Sequence, residues 1–191
     1  MVSETKREKE VEAAISTFLE AIDPSPRKDL QTTPARVANL WIKHLLAHEN
    51  SSIEDLQVPP IPTNTQDPIL VRKLGLYMVC PHHLTIGSGF ADIAYLPKDH
   101  IVGFGHISNI VDWASQRLSL QEEVGSRISE ALKQVISPKA IVSRLIVQHP
   151  CHTILHPRSH NARIETFSVF GEEQNIGLLK NLLARSDSAE L

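Results

Sequence analysis

The chain has 191 residues, 41% hydrophobic, 21% charged and 5% aromatic, with a formal net charge of -3. With 8 Gly and 12 Pro, that composition excludes a collagen-like or low-complexity chain and predicts a globular one with a real core, a single domain with an appended element. A slightly acidic chain without a basic block and poor in aromatics gives no support for a nucleic-acid partner.

No run approaches the roughly 20 apolar residues of a bilayer span, so no membrane partner is expected. The charged start MVSETKREKEVEAA has no apolar signal core, so a cytoplasmic location is expected. Two cysteines in such a chain read as thiols or metal ligands rather than a disulfide.

In chain order, residues 3–22 predict an amphipathic helix, with Val11, Ile15, Phe18 and Ile22 on its apolar stripe and Lys6 four residues before Glu10. Pro24 and Pro26 end it. A second helix is expected from Thr33-Pro34, capped by Thr33 and striped by Val37, Leu40, Trp41 and Leu45. The Pro-, Asn- and Ser-rich stretch 49–68 reads as a linker. The division expected is a helical arm and linker over 1–67 and a catalytic domain over 68–191.

Residues 69–79 predict a strand with Leu70, Leu74, Leu76 and Met78 on one face, and 89–96 another. A turn at 97–100 and a short extended piece follow. Two helices come next: one striped by Ile107, Ile110, Val111, Ala114 and Leu118, the other starting at Ser119, with Glu122 completing a capping box. Strands over 140–147 and 163–170 and a helix over 175–185 close the chain. The order strand, strand, helix, helix, strand, strand predicts an α+β domain whose antiparallel sheet is covered on one face.

The sharpest local signal is Cys80-Pro81-His82-His83, with a second cysteine in His149-Pro150-Cys151. Cys80 and His83 form a C-x-x-H pair that a turn can aim at one ion, and Cys151 can add a third ligand. Two thiolates and an imidazole suit zinc and leave a fourth position for water, whose pKa the ion would lower. His82 and His149 are then candidate acids or bases.

The competing readings are a chance C-x-x-H with two buried core thiols and a structural site closed by His149 or His152. His149, His152, His156 and His160 fall in one short stretch, which favours function. Glu122 is either a helix cap or a carboxylate able to accept two N–H bonds from a guanine-type ring.

The stretch CPHHLTIGSGFADIAYLPKDHIVGFGHISNIVDWASQRLSLQEEVGSRI resembles GTP cyclohydrolase I, whose usual form runs C-E-H-H, A-Y-I-P-K, G-L-S-K, Q-R and Q-V-Q-E-R. The resemblance reaches back to TTPARVANLW and forward to QHPCHTILHPR, roughly residues 30 to 171. It implies a tunnelling fold, two antiparallel strand pairs with two helices between. It also implies a toroidal homo-oligomer, typically a decamer, with sites between subunits. Carried over, Cys80, His83 and Cys151 match the zinc ligands, His82 and His149 the acid/base histidines, and Gln121 and Glu122 the segment holding the guanine edge. The implied chemistry is hydrolytic attack at the purine C8 carbon, with His149 protonating the ring nitrogen and the imidazole ring opening.

The departures lie on the triphosphate side. Arg36 survives from T-P-x-R, but the lysine three residues later is Asn39. G-L-S-K is Gly103-Phe104-Gly105-His106, the following arginine is Asn109, and the arginine four residues after the zinc cysteine is Leu155. Asn39, His106, Asn109, His152 and Leu155 are expected to line that altered end of the pocket; Arg36, His106, Asn109 and His152 are the substrate-binding candidates there, and Arg158 and protonated histidines could replace part of the lost charge. Pro81 replaces a glutamate beside the metal ligands.

The function expected is therefore a zinc-dependent hydrolase of cyclic amidine C–N bonds, acting on a purine-like base or nucleoside without a triphosphate. The alternatives are a genuine GTP cyclohydrolase I making 7,8-dihydroneopterin triphosphate, a relative of the nitrile reductases of this fold, and a non-catalytic zinc-binding homologue.

Overall fold

The computed structural model describes residues 4–25, 27–156, 158 and 160–187. Four long strands, β2 (Ile69–Val79), β3 (Ile86–Leu96), β5 (Ala140–Gln148) and β6 (Ile164–Gly171), form one antiparallel sheet in that order. Helices α3 (Phe104–Ser115) and α4 (Gln121–Ile136) join the two hairpins and cover one face. The predicted alternation of strand and helix pairs is therefore the observed one. Short strands β1 (Ile61–Pro62) and β4 (His100–Ile101) pair to tie the linker to the β3–α3 connection.

The main core lies between the sheet and α3/α4. Leu76, Met78, Ile93, Ile107, Ile110, Ile128, Leu132, Ile141 and Leu145 are almost wholly enclosed there. Burial of each such side chain contributes about 1.5–3 kcal/mol. The other face is not bare along its whole length, as one-sided covering would leave it. Helix α6 (Glu173–Asp187) packs Leu179 and Leu183 onto Ala94, Ala140 and Val142. The Arg72 guanidinium then caps the last turn of α6 by donating to the carbonyls of Leu182 and Leu183.

Strand β2 departs from simple alternation. Lys73 sits at φ 54, and the register with β3 jumps between Val71 and Leu74. This bulge turns Val71 into the main core, while Leu70 packs on the α6 side. Leu70 therefore does not share a face with Leu74, Leu76 and Met78, as unbroken alternation predicts.

The helical arm also differs in detail. Helix α1 (Glu4–Ile22) spans the expected residues except Ser3, which lies outside the described residues. Phe18 and Ile22 on its expected stripe are exposed. Helix α2 (Thr33–Leu40) has Thr32, not Thr33, at its N-cap, without a side-chain bond. It runs into one wide π turn, Trp41–Leu45, closed by Leu46 N–H donating to Trp41 O. Ala38, Ile42, Leu45 and Leu46, spaced i, i+4, i+7 and i+8, form the buried face, and Leu40 is exposed. Leu45 and Leu46 seat the arm on Val79 at the end of β2.

Candidate metal and purine site

Strands β2 and β5 run in the same direction on either side of β3, so they end at the same edge of the sheet. Tyr77, Ser88 and Gln148 form one row across the three strands. Cys80 stands three residues past Tyr77, and Cys151 three residues past Gln148. Two strand spacings would hold these positions about 10 Å apart. Two turns close that gap.

After β2 the chain folds back through Pro81–His83. Leu84 N–H donates to Cys80 O, and Cys80 N–H to Thr85 O. After β5, Pro150 opens the short helix α5 (Pro150–Leu155), and the N–H groups of His152 and Thr153 donate to His149 O. Helix α5 had no counterpart among the expected elements.

As a result one donor atom each of Cys80, His149 and Cys151 lies within 4.8 Å of the others. Cys80 is buried, the other two half-buried, and both thiols are free. Two soft sulfurs and an imidazole nitrogen at this separation fit a zinc ion. The structure thus brings Cys80 and Cys151 together. His83, the expected third ligand, lies on the exposed turn outside this cluster, and His149 stands within it. His82 is also exposed, with Nδ1 3.7 Å from Cys80 Sγ.

The connection between α3 and α4 runs along the end of β2. Ser119 N–H donates to Val79 O, and Leu118 bridges to Val79. This brings the start of α4 to the cluster. The helix begins one residue later than a Ser119 cap requires. Leu120 is its N-cap, and Glu123, not Glu122, accepts the Leu120 N–H at 3.0 Å. Ser119 Oγ instead accepts from Arg127. Glu122 is therefore released from capping, exposed, and close enough to act electrostatically on His149.

Gln121 is buried beside it, and its Oε1 lies 3.0 Å from His149 Nε2. Its Nε2 donates to Leu145 O, Ile164 O and Thr166 Oγ1. Burial holds the His149 imidazole below its usual value. The Glu122 carboxylate opposes that shift, and His152 adds to it.

The family resemblance puts Gln121 only in the segment whose glutamate holds the heterocycle edge, and does not anticipate its contact with His149. The only advance signal was its position next to Glu122. His152 on α5 stacks against His156 with ring centres 4.9 Å apart. Arg36 on α2 and Asn109 on α3 are exposed. His106 on α3 is half-buried, with a shielded Nδ1 that has no hydrogen-bond partner. None of these three joins the Cys80–His149–Cys151 cluster.

A family model described as GTP cyclohydrolase I matches residues 11–185. The chain belongs to the GTP cyclohydrolase I family. A GTP cyclohydrolase 1 of Streptococcus pyogenes is 36% identical over 145 residues, 75% of this chain and 74% of that protein. One from Bartonella quintana is 34% identical over 165 residues, covering 85% and 80%. Among solved structures, the archaeosine synthase QueF-Like in its apo form aligns with a TM-score of 0.49 at 17% identity, over 57% of this chain and 98% of that one.

Membership of the GTP cyclohydrolase I family places this chain in a family of hydrolases. No helix among the described residues is long and apolar enough to cross a membrane.

Proposed function

We propose that this protein is a zinc-dependent hydrolase that opens the imidazole ring of a purine-like base or nucleoside lacking a triphosphate. The observation that carries this is the loss of cations from the tail side, with the purine side kept. Asn39 does not stand in for a lysine: its amide reaches 3.4 Å to Glu8 Oε1, a carboxylate that also lies 3.3 Å from Lys43. That corner holds a Glu8–Lys43 ion pair, in which the lysine's charge is already matched. Leu155 is 61% exposed and has nothing to donate to a phosphate. A charge-assisted hydrogen bond contributes about 1.5–3 kcal/mol, so four losses amount to ~6 kcal/mol or more, roughly ten-thousand-fold in affinity.

The division of labour follows from the chemistry of the residues. Cys80 and Cys151 would hold the metal, with His83 from the adjoining turn as the third ligand, leaving His149 free for proton transfer. A zinc ion bound there supplies Lewis acidity and an activated water. Glu122 accepts N–H groups from the edge of the heterocycle, and its release from helix capping supports that role. His149 delivers a proton to the ring nitrogen as the C–N bond breaks, and His82 handles a second proton near Cys80. Without a ribose triphosphate the product stops at the opened ring.

The sheet leaves β2 and β6 as free edges running in opposite directions. Copies joined edge to edge would continue the antiparallel alternation, which supports a ring-shaped homo-oligomer, a decamer on the family resemblance, with Arg36, His106 and Asn109 contributed across the interface.

A second reading is a genuine GTP cyclohydrolase I with a rebuilt phosphate site, favoured by the curated relatives at 36% identity. Zinc-loaded protein incubated with free purines, nucleosides and nucleotides separates the two. Loss of the imidazole chromophore from a base or nucleoside supports the proposal. Formate release and a fluorescent pterin from GTP at a higher kcat/KM refute it.

A further inference from the structure

We infer that Gln121 is a positioning residue that fixes the tautomer of His149, with the proton on Nε2 and the lone pair on Nδ1. The inference rests on His149 being the acid/base group proposed above. It begins with the orientation of an amide. Gln121 Nε2 lies 3.1 Å from Leu145 O, 3.0 Å from Ile164 O and 3.1 Å from Thr166 Oγ1. Two of these three neighbours are carbonyl oxygens and can only accept. Turning the amide over would put Oε1 against both carbonyls with no hydrogen between them. The NH2 therefore faces β5 and β6, and Oε1 faces His149.

An amide oxygen cannot donate, so the 3.0 Å contact at His149 Nε2 requires a proton on that nitrogen. In the neutral ring Nδ1 then carries the lone pair. It makes no hydrogen bond to any described residue.

Gln121 is a rigid anchor for this purpose. Its side chain is 3% exposed, and it sits in the first turn of α4. Its three acceptors lie on two paired strands, since Leu145 and Thr166 are register partners. Rotating the imidazole to present Nε2 would break its tether and leave Oε1 buried without a donor.

The test uses full-length zinc-loaded protein with 15N-labelled histidine, His149 being assigned by its loss in His149→Asn. The expected neutral ring carries its proton on Nε2. Gln121→Met, close in volume and without an acceptor, is expected to give a mixture of both tautomers at unchanged zinc content. For a purine the parent turns over, kcat should fall ten- to hundred-fold with KM within about three-fold. A parent His149 with its proton on Nδ1, or with Nδ1 tied to the metal, overturns the inference. So does a folded Gln121→Met variant that keeps kcat within two-fold. If that variant does not fold, the parent spectrum decides alone. If no purine is hydrolysed, the spectrum still reports the tether while the functional proposal fails separately.

Discussion

Asp92 and Arg144 face each other across β3 and β5 with carboxylate and guanidinium 3.6 Å apart, both side chains nearly enclosed. Asp92 Oδ1 also accepts the backbone N–H of Lys73 at 2.8 Å, at the β2 bulge, and Glu165 closes on Arg144 from β6. One carboxylate thus holds the irregular residue that sets which β2 side chains enter the core. Asp92→Ala is expected to cost about 3 kcal/mol, the low end for a broken buried pair because Glu165 still faces Arg144. Asp92→Asn, which keeps an acceptor for Lys73, should cost less. Urea unfolding measures both, and a loss under 1 kcal/mol for the alanine would mean that the bulge is held by other contacts.

Gly89 lies one residue past Ser88 in the row that aligns the two cysteines. A Cβ there would stand 1.9 Å from Ile146 O and 2.8 Å from Val147 Cα. Gly89→Ala must push β3 away from β5, at a cost of at least about 2 kcal/mol. Because that movement separates Cys80 from Cys151, zinc affinity should fall together with the melting temperature. A variant as stable as the parent would show that the strands part without strain.

Metal removal tests the cluster directly. Cys80→Ala and Cys151→Ala should each reduce zinc affinity at least hundred-fold in a chelator competition. Loading the parent with zinc at a hundred times its Kd should add about 2.7 kcal/mol of stability. The sheet and its core do not depend on the ion, so the far-ultraviolet circular dichroism should hardly change. Stoichiometric zinc retained by both cysteine variants would exclude the site.

His48 supplies a pH dependence. Burial holds its imidazole below the usual value and the Arg117 guanidinium adds to this, against opposing Asp112 and Asp55. The unfolded chain takes up that proton near pH 6.5 and the folded chain only lower. The stability from neutral His48 is therefore present above about pH 6.5 and lost as pH falls toward the folded value. His48→Gln should flatten the stability curve between pH 6.5 and 5. The same slope in parent and variant would remove His48 from the account.

Restoring one cation tests the proposed substrate class. Leu155→Arg returns a donor to the tail side, where one charge-assisted hydrogen bond of about 1.5–3 kcal/mol corresponds to roughly 10- to 150-fold. KM for GTP should drop by such a factor while that for a free base stays put. Equal KM values for GTP in parent and variant would mean that position 155 does not face a phosphate.

Much of this protein was legible in the chain itself. The bounds of β2, the pair of helices between two strand pairs, and two cysteines beside histidines all follow from local rules. Apolar spacing and ligand chemistry are properties of neighbours in sequence. What failed locally failed where a distant group intervened. Asp92 fixes the bulge that splits Leu70 from Leu74, packing of the arm buries Ala38 and Ile42 in place of Leu40, and Leu120 with Glu123 displaces the expected Ser119–Glu122 cap.

The site divides in the same way. Cys80, His83 and Cys151 could be read from the sequence as candidate metal ligands, and the structure brings only the two cysteines together. That His149 shares the cluster, while Glu122 is free and Gln121 faces an imidazole, was decided only by the sheet. β3 spaces β2 from β5, their ends align in one row, and the amide of Gln121 is oriented by carbonyls 24 and 43 residues away. Hydrogen-bond direction at a buried group depends on all of its neighbours at once, and no local pattern of residues encodes that.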